Sequence, residues 1–393
     1  MSQSQLAYVI LTPYSLFKSR TGGVLSRLIS RTGLDLCAMR MFAPSTELVT
    51  QYAENIISAH DSQDRKIQEL LKEYILHNFM PDAKTGRRRR ILLMLFRGDE
   101  AVRKVRAVVG NLSPERRSGE TIRGTYGDLI MDDETGQVRY FEPAVLAAPS
   151  DAEAETKLKL WARFSEADGG VLENVTTYQP NETSERTLVL IKPDNFRFAT
   201  GRPGNVIDFF SSAGLYIVGS KVLHMSTAQA AEFYGPVREY LRTKLNDTIG
   251  ARAKEALEKE FGFKISPAAE KTIGEALGPV FGDNQFENIV RFMSGRAPSE
   301  CVSEKEKNQP GTEKCVALIY EGVSAVRKIR DVLGPTDPSK APPGSIRREF
   351  GSTIMVNAAH ASDSVENAKR EMKIVNVGEN NFQEIVKEAY GKL

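Results

Sequence analysis

The stretch SAVRKIRDVLG, Ser324 to Gly334, decides how this chain is built, because the chain contains it twice. The earlier form is EAVRKVRAVVG, Glu100 to Gly110, identical at seven of eleven positions. Val105 and Ile329 are a conservative exchange, as are Val109 and Leu333. Thirteen residues after each terminal glycine stands an arginine, Arg123 and Arg347. Upstream, LAYVILTPYS resembles TLVLIKPDNF at a spacing of 180, whereas the later motifs lie 224 apart. The second copy has therefore gained 44 residues in its middle. A repeat on this scale marks a duplicated structural unit. The first copy is expected over residues 1–160 and the second over 184–393. The polar, turn-rich segment 161–183 between them reads as a linker.

Within the second copy, RTLVLI is a buried-strand run and GNVIDFFSSAG has helical spacing with a terminal glycine. LYIVGSKVLHM is strand-like, and STAQAAEFYG opens on a good N-cap. A long charged helical stretch follows, from about Val237 to Leu277. Next come a helix over NQFENIVRFM, a strand at CVALIY, the repeated helix, a Pro-rich loop, strand-like STIMVN and a helix over SDSVENAKREM. The order β-α-β-α…α-β-α-β-α implies an α+β fold: two ferredoxin-like split βαβ domains. Each has a four-stranded antiparallel sheet covered by helices. The second carries helical insertions near 237–282 and 298–313.

Composition narrows the function. With 393 residues, 41% hydrophobic and 26% charged, the chain has the make-up of a globular protein of about two to three domains. A net charge of +2 gives no field that selects a specific nucleic acid or a membrane. Cys37, Cys301 and Cys315 have neither metal-ligand spacing nor a disulfide pattern. The first residues lack the charged start of a signal peptide, and their apolar run is too short to span a membrane. A reducing, cytoplasmic setting is the expectation. The basic run KTGRRRR, ending at Arg90, reads as a loop entering the buried strand ILLMLF.

Of four histidines, His60, His77 and His224 sit in ordinary helix-like or strand-like settings. His360 differs: in VNAAHASDSVE it ends an apparent strand just before a helix start. Ser362 or Asp363 is the expected N-cap, with Glu366 as a capping-box partner of Asp363. A helix N-terminus beside a histidine favours anions and the neutral, nucleophilic imidazole. Lys192, Arg330 and Arg347 supply cations, and Thr336 and Asn357 neutral polar groups. Phosphoryl transfer asks for such an inventory. No Walker-type loop is present, since TGRPGN lacks the lysine and the spacing.

Three motifs of the second copy, RTLVLIKPDNF, AVRKIRDVLGPTDPSKAPPGSIRREFG and NAAHASDSVENAKREM, together resemble the nucleoside diphosphate kinase family. The last two match it without a gap over about 50 residues. The resemblance implies transfer of the terminal phosphoryl of a nucleoside triphosphate to a diphosphate, ping-pong, through a phosphohistidine at His360. It implies that Lys192, Arg330, Thr336 and Arg347 hold phosphates and Asn357 a sugar hydroxyl. Tyr234 supports the pocket, and Ser362 and Glu371 orient the histidine. Mg²⁺ would ride on the nucleotide, with no dedicated metal ligands. The family's glycine after the nucleophile is Ala361 here. Its base-stacking phenylalanine falls at Gln285, with Phe286 beside it.

The first copy retains Arg106 and Arg123 but has Thr12 at the place of Lys192 and Leu112 at that of Thr336. Aligning AAPSDAEAETKLKLW with AHASDSVENAKREM sets Ala148 opposite His360. That copy is expected to be inactive and structural. Pairing of the two copies within the chain is expected, with a trimer of tandem chains as the larger assembly. The competing reading is a non-catalytic nucleotide-binding or scaffold module. A third is a phosphohistidine donor to another protein.

Overall fold

The computed structural model describes residues 4–58, 65–112 and 119–393, so His60 lies outside the described residues. The first copy runs β1 (Gln5–Leu11), α1 (Pro13–Phe17), α2 (Thr21–Thr32), β2 (Asp35–Phe42), α3 (Thr46–Glu54), α4 (Arg65–Asn78) and β3 (Ile91–Gly98). It continues with α5 (Ala101–Val109), α6 (Ile122–Tyr126), a hairpin of β4 (Asp128–Met131) and β5 (Val138–Glu142), then β6 (Val145–Ala147) and α7 (Asp151–Phe164). The second copy begins β7 (Ser184–Ile191), α8 (Arg202–Phe210), β8 (Tyr216–His224), α9 (Thr227–Lys244), α10 (Asn246–Phe261), α11 (Pro267–Ser294) and α12 (Glu304–Lys307). It ends with β9 (Lys314–Val323), α13 (Ala325–Leu333), α14 (Ile346–Phe350), β10 (Ala359–Ala361), α15 (Val365–Val375) and α16 (Asn381–Tyr390).

The two main sheets have the orders β2-β3-β1-β6 and β10-β7-β9-β8. Counting strands within each copy, both read 4-1-3-2, the ferredoxin-like arrangement. The first strand of each copy is central and antiparallel to both neighbours. Its apolar run is accordingly buried on both faces, as at Val9–Leu11 and Leu188–Ile191. The repeated helix explains its own sequence. Glu100 and Ser324 enter it at φ of 52° and 54°, and Gly110 and Gly334 leave it at 84° and 83°. Only glycine adopts that exit at low cost.

Contacts divide the chain into two compact units, one of 1–222 with 316–393 and one of 223–315. Both sheets belong almost wholly to the first. The second is helical. The charged helical stretch expected from about Val237 to Leu277 is divided among α9, α10 and α11. Gly262 takes φ 73° at the end of α10 and Ser266 caps α11. Gly274, Gly278 and Gly282 of α11 allow it to approach the backbones of α9 and α10, where a Cβ would clash.

Two further expectations are corrected. STIMVN forms no strand: the amides of Ser352 and Thr353 both donate to Val356 O, closing a turn, and the strand starts only at Ala359. The cap of α15 is Ser364, whose side chain accepts from Asn367 N at 3.0 Å, not Ser362 or Asp363.

Within the first unit, the two copies pack through α2 and α8. Gly22 faces Gly204 O and Gly204 faces Gly22 O, so a Cβ on either would strike backbone. The contact is reciprocal, as between two like surfaces. Arg90 extends it, donating to Ile217 O at 2.7 Å with its guanidinium 4.9 Å from the Tyr216 ring centroid. Gly204→Val is expected to destabilise the fold by about 1–3 kcal/mol, the usual cost of overpacking a tight contact. A lowered midpoint in chemical denaturation is the readout, and an unchanged midpoint would mean that the helices separate without loss.

Candidate functional site

Strand β10 lies at the sheet edge against β7, with His360 opposite Leu190. Lys192 follows β7 immediately, so the pairing sets lysine and histidine at one end of two adjacent strands. The His360 Nε2 stands 2.9 Å from Glu371 Oε2. The same oxygen accepts the Ser362 hydroxyl at 2.6 Å. Arg370 lies 3.6 Å from the other carboxylate oxygen. Glu371 is buried and comes from the middle of α15, so the helix carries the carboxylate under the strand. In a neutral ring, a carboxylate at Nε2 favours the tautomer protonated there, which leaves the lone pair on Nδ1.

Lys192 is largely buried, and its Nζ donates to Asn357 Oδ1 at 2.6 Å and to Met355 O at 3.1 Å. Asn357 donates in turn to Thr336 O and Ile354 O, which ties the loop bearing Thr336 to the lysine. Arg347 donates to Gly334 O and Ala359 O, bridging the end of α13 to the start of β10. Arg330 and Thr336 are both exposed. Asn367's amide holds the Asp363 carboxyl below its ordinary range, aided by the charge of Arg330. The structure thus brings His360, Lys192, Glu371, Ser362, Thr336, Arg347 and Asn357 into one connected set. Tyr234 and Phe286 belong to the helical unit. There Tyr234 packs on Phe233 at 5.0 Å and Arg238 lies 5.5 Å over the Phe286 ring.

Sequence reasoning missed Asn195. Its buried amide donates to Lys192 O at 3.0 Å and Ala358 O at 2.7 Å, and its Oδ1 accepts from Arg202 Nε at 3.0 Å. Ala358 has φ 70°, a left-handed conformation that costs a non-glycine residue about 1–2 kcal/mol. The only sequence signal was position, three residues after Lys192.

The first copy repeats this frame with different contents. Ala144 has φ 60°, and its carbonyl accepts from Thr12 and Ser15 as that of Ala358 does from Lys192 and Asn195. Arg123 donates to Gly110 O and Val145 O, matching Arg347. These anchors and the β1–β6 register set Leu146, opposite Ile10, at the place of His360. The alignment that chose Ala148 is therefore off by two. Ala148 matches Ser362, and Lys157, paired with Glu153 at 2.7 Å, stands where Glu371 does. Beside Thr12, the counterpart of Lys192, lies a buried carboxylate, Glu142, which accepts from Thr12 Oγ1, Tyr74 OH and Ala144 N. An open pocket of about 610 Å³ borders Arg106 and Arg123 in this copy.

Burial pushes the Glu142 carboxyl above its ordinary value of 4.5. An acid raised in the fold holds its proton more tightly in the native state. Its contribution is full below the ordinary value and is lost as pH rises through the folded pKa. The wild type should therefore lose stability relative to Glu142→Gln as pH rises from 4.5. Parallel unfolding curves at all pH values would contradict this.

Among the described residues, no three His, Cys, Asp or Glu side chains are grouped to hold a metal, and no helix is long and apolar enough to cross a membrane. The cations near His360 suit an anion, including one that brings its own metal.

Comparison with known proteins defines the class. The profile of the family described as nucleoside diphosphate kinase matches residues 5–166, 185–243 and 304–379. Both copies are covered, and most of the helical unit is skipped. The nucleoside diphosphate kinase of Wolinella succinogenes is 34% identical over 189 residues, covering 48% of this chain and 92% of the relative. That of Campylobacter hominis is 31% identical over 188 residues, covering 48% and 92%. A solved NDP kinase from Pyrobaculum aerophilum is 29% identical, covering 49% of this chain and 95% of its own, with a TM-score of 0.34. The fold is that of a duplicated α+β transferase. The chain belongs to the nucleoside diphosphate kinase family, the nucleotide-binding phosphotransferases.

Proposed function

We propose that the second copy transfers the terminal phosphoryl of a nucleoside triphosphate to a nucleoside diphosphate through a phosphohistidine at His360. The observation that carries this is the His360 Nε2 to Glu371 contact of 2.9 Å beside the Lys192 strand end. Nδ1 attacks the terminal phosphorus, its bond to the bridging oxygen breaks, and the diphosphate leaves with that electron pair. Phosphorylation makes the ring cationic, and Glu371, itself held by Ser362, faces the Nε2–H that carries the charge. A second diphosphate then attacks phosphorus through a terminal oxygen, and the pair in the N–P bond returns to Nδ1. Lys192, Arg330 and Arg347 offset phosphate charge, Thr336 and Asn357 line the approach, and the preorganised cations account for most of the rate. Mg²⁺ would be held by the nucleotide phosphates rather than by side chains of this chain, and supplies further charge neutralisation when bound.

The first copy has Leu146, Thr12 and Lys157 at the positions of His360, Lys192 and Glu371, and a buried carboxylate faces the strand end. It is proposed to be inactive and retained as the packing partner of α8. The division into copies at 1–160 and 184–393 belongs to the same reading, as does assembly of three tandem chains.

Incubation with a nucleoside triphosphate labelled in its terminal phosphate tests the proposal. An acid-labile, base-stable label that is chased onto a diphosphate of another base is expected. Nucleotide binding without a transferable label would favour a scaffold.

A further inference from the structure

The geometry points to Asn195 as a positioning residue for the nucleophile: it holds the left-handed Ala358 and thereby the start of the strand that carries His360. The inference rests on the phosphohistidine reading. Four observations lead to it. Ala358 stands two residues before His360 at φ 70°. Its carbonyl accepts from two donors, Lys192 N at 3.0 Å and Asn195 Nδ2 at 2.7 Å. The same amide also donates to Lys192 O at 3.0 Å, so one buried side chain joins the lysine's backbone to the histidine's. Arg202 fixes which way the amide points, since its Nε donates to Asn195 Oδ1 at 3.0 Å while its Nη2 donates to both the Asp194 carboxylate and Phe350 O.

The hydrogen bonds matter because β10 is only three residues long and lies at the sheet edge. Its pairing with β7 gives little independent hold on residue 358. Without the amide, nothing in the side chain of Ala358 favours positive φ, and the peptide before Ala359 is drawn toward ordinary β geometry. That rotation moves Ala359 and, through it, the imidazole relative to Glu371 and Lys192. Displacement of a reacting group by about 1 Å can cost on the order of 100-fold in rate. The first copy solves the same backbone problem with a hydroxyl, Ser15 Oγ donating to Ala144 O at 2.7 Å. A short donor is therefore sufficient.

The test uses the full chain and single-turnover phosphorylation of His360 by labelled nucleoside triphosphate, with diphosphate binding measured separately. Asn195→Ala is expected to slow labelling on the order of 10- to 100-fold while diphosphate affinity stays within about twofold. Adding Ala358→Gly is expected to restore most of the rate, because glycine takes positive φ without help. Asn195→Ser, which imitates Ser15, should fall between wild type and Asn195→Ala and respond to Ala358→Gly in the same way. It carries the test if Asn195→Ala does not fold. Labelling at the wild-type rate in Asn195→Ala, or no recovery with Ala358→Gly in either background, overturns the inference. Absence of label in the wild type would instead refute the phosphohistidine reading itself.

Discussion

A His360→Ala chain is expected to acquire no acid-labile label and to exchange no phosphoryl groups, while remaining folded. The imidazole is the proposed nucleophile within the set built by Lys192, Glu371, Arg347 and Asn357, and alanine offers no lone pair for attack. Activity should drop to background, a larger loss than removal of any phosphate-binding group. Folding should survive, because His360 is partly exposed on a short edge strand. Glu371, though buried, still accepts from Ser362 and faces Arg370, so its charge does not lose all of its partners. Labelling, exchange and circular dichroism on one preparation check this. Persistent exchange in a folded variant would place the nucleophile elsewhere.

Lys192→Ala should lower exchange on the order of 10²–10³-fold, the usual cost of removing one preorganised partner of developing charge. Lys192 is a cleaner probe than Arg347, whose guanidinium also joins Gly334 to Ala359. Loss of Arg347 would mix charge with backbone disorder. The matched control is Thr12→Ala, at the equivalent position of the first copy. Its hydroxyl serves Glu142 and Ala144, so its loss should lower stability but leave exchange near wild type. Steady-state exchange at saturating nucleotide separates the two outcomes. Equal damage in both variants would give the first copy a share in the chemistry.

Much of this was legible in the sequence, for identifiable reasons. The duplicated helix carries its own boundaries, since the exit at Gly110 and Gly334 requires a residue tolerant of positive φ. His360 stood out because it ends an apparent strand just before a helix start, whereas Ser362 and Glu371 entered the site only through the resemblance to the family. The counterpart of His360 was not legible. The β4–β5 hairpin makes the first copy ten residues longer between its conserved arginine and its last strand. An alignment by residue similarity slid past Leu146 to Ala148, and only the register with Ile10 corrects it. STIMVN reads as a strand by composition, yet its backbone is spent on a turn that delivers Asn357 to Lys192. Asn195 was invisible for a related reason. Its role lies in two backbone carbonyls, one of them 163 residues away, and local pattern holds no trace of such a partner.

The central claim is that phosphorus becomes attached to His360. Its most direct measurement is peptide mapping of the wild-type chain after brief exposure to labelled nucleoside triphosphate, under alkaline conditions that preserve phosphohistidine. The account expects one labelled peptide, containing His360, whose label disappears when a nucleoside diphosphate is added before digestion. Label on a peptide carrying His60, His77 or His224, or a His360 peptide that keeps its label in the presence of diphosphate, would contradict it.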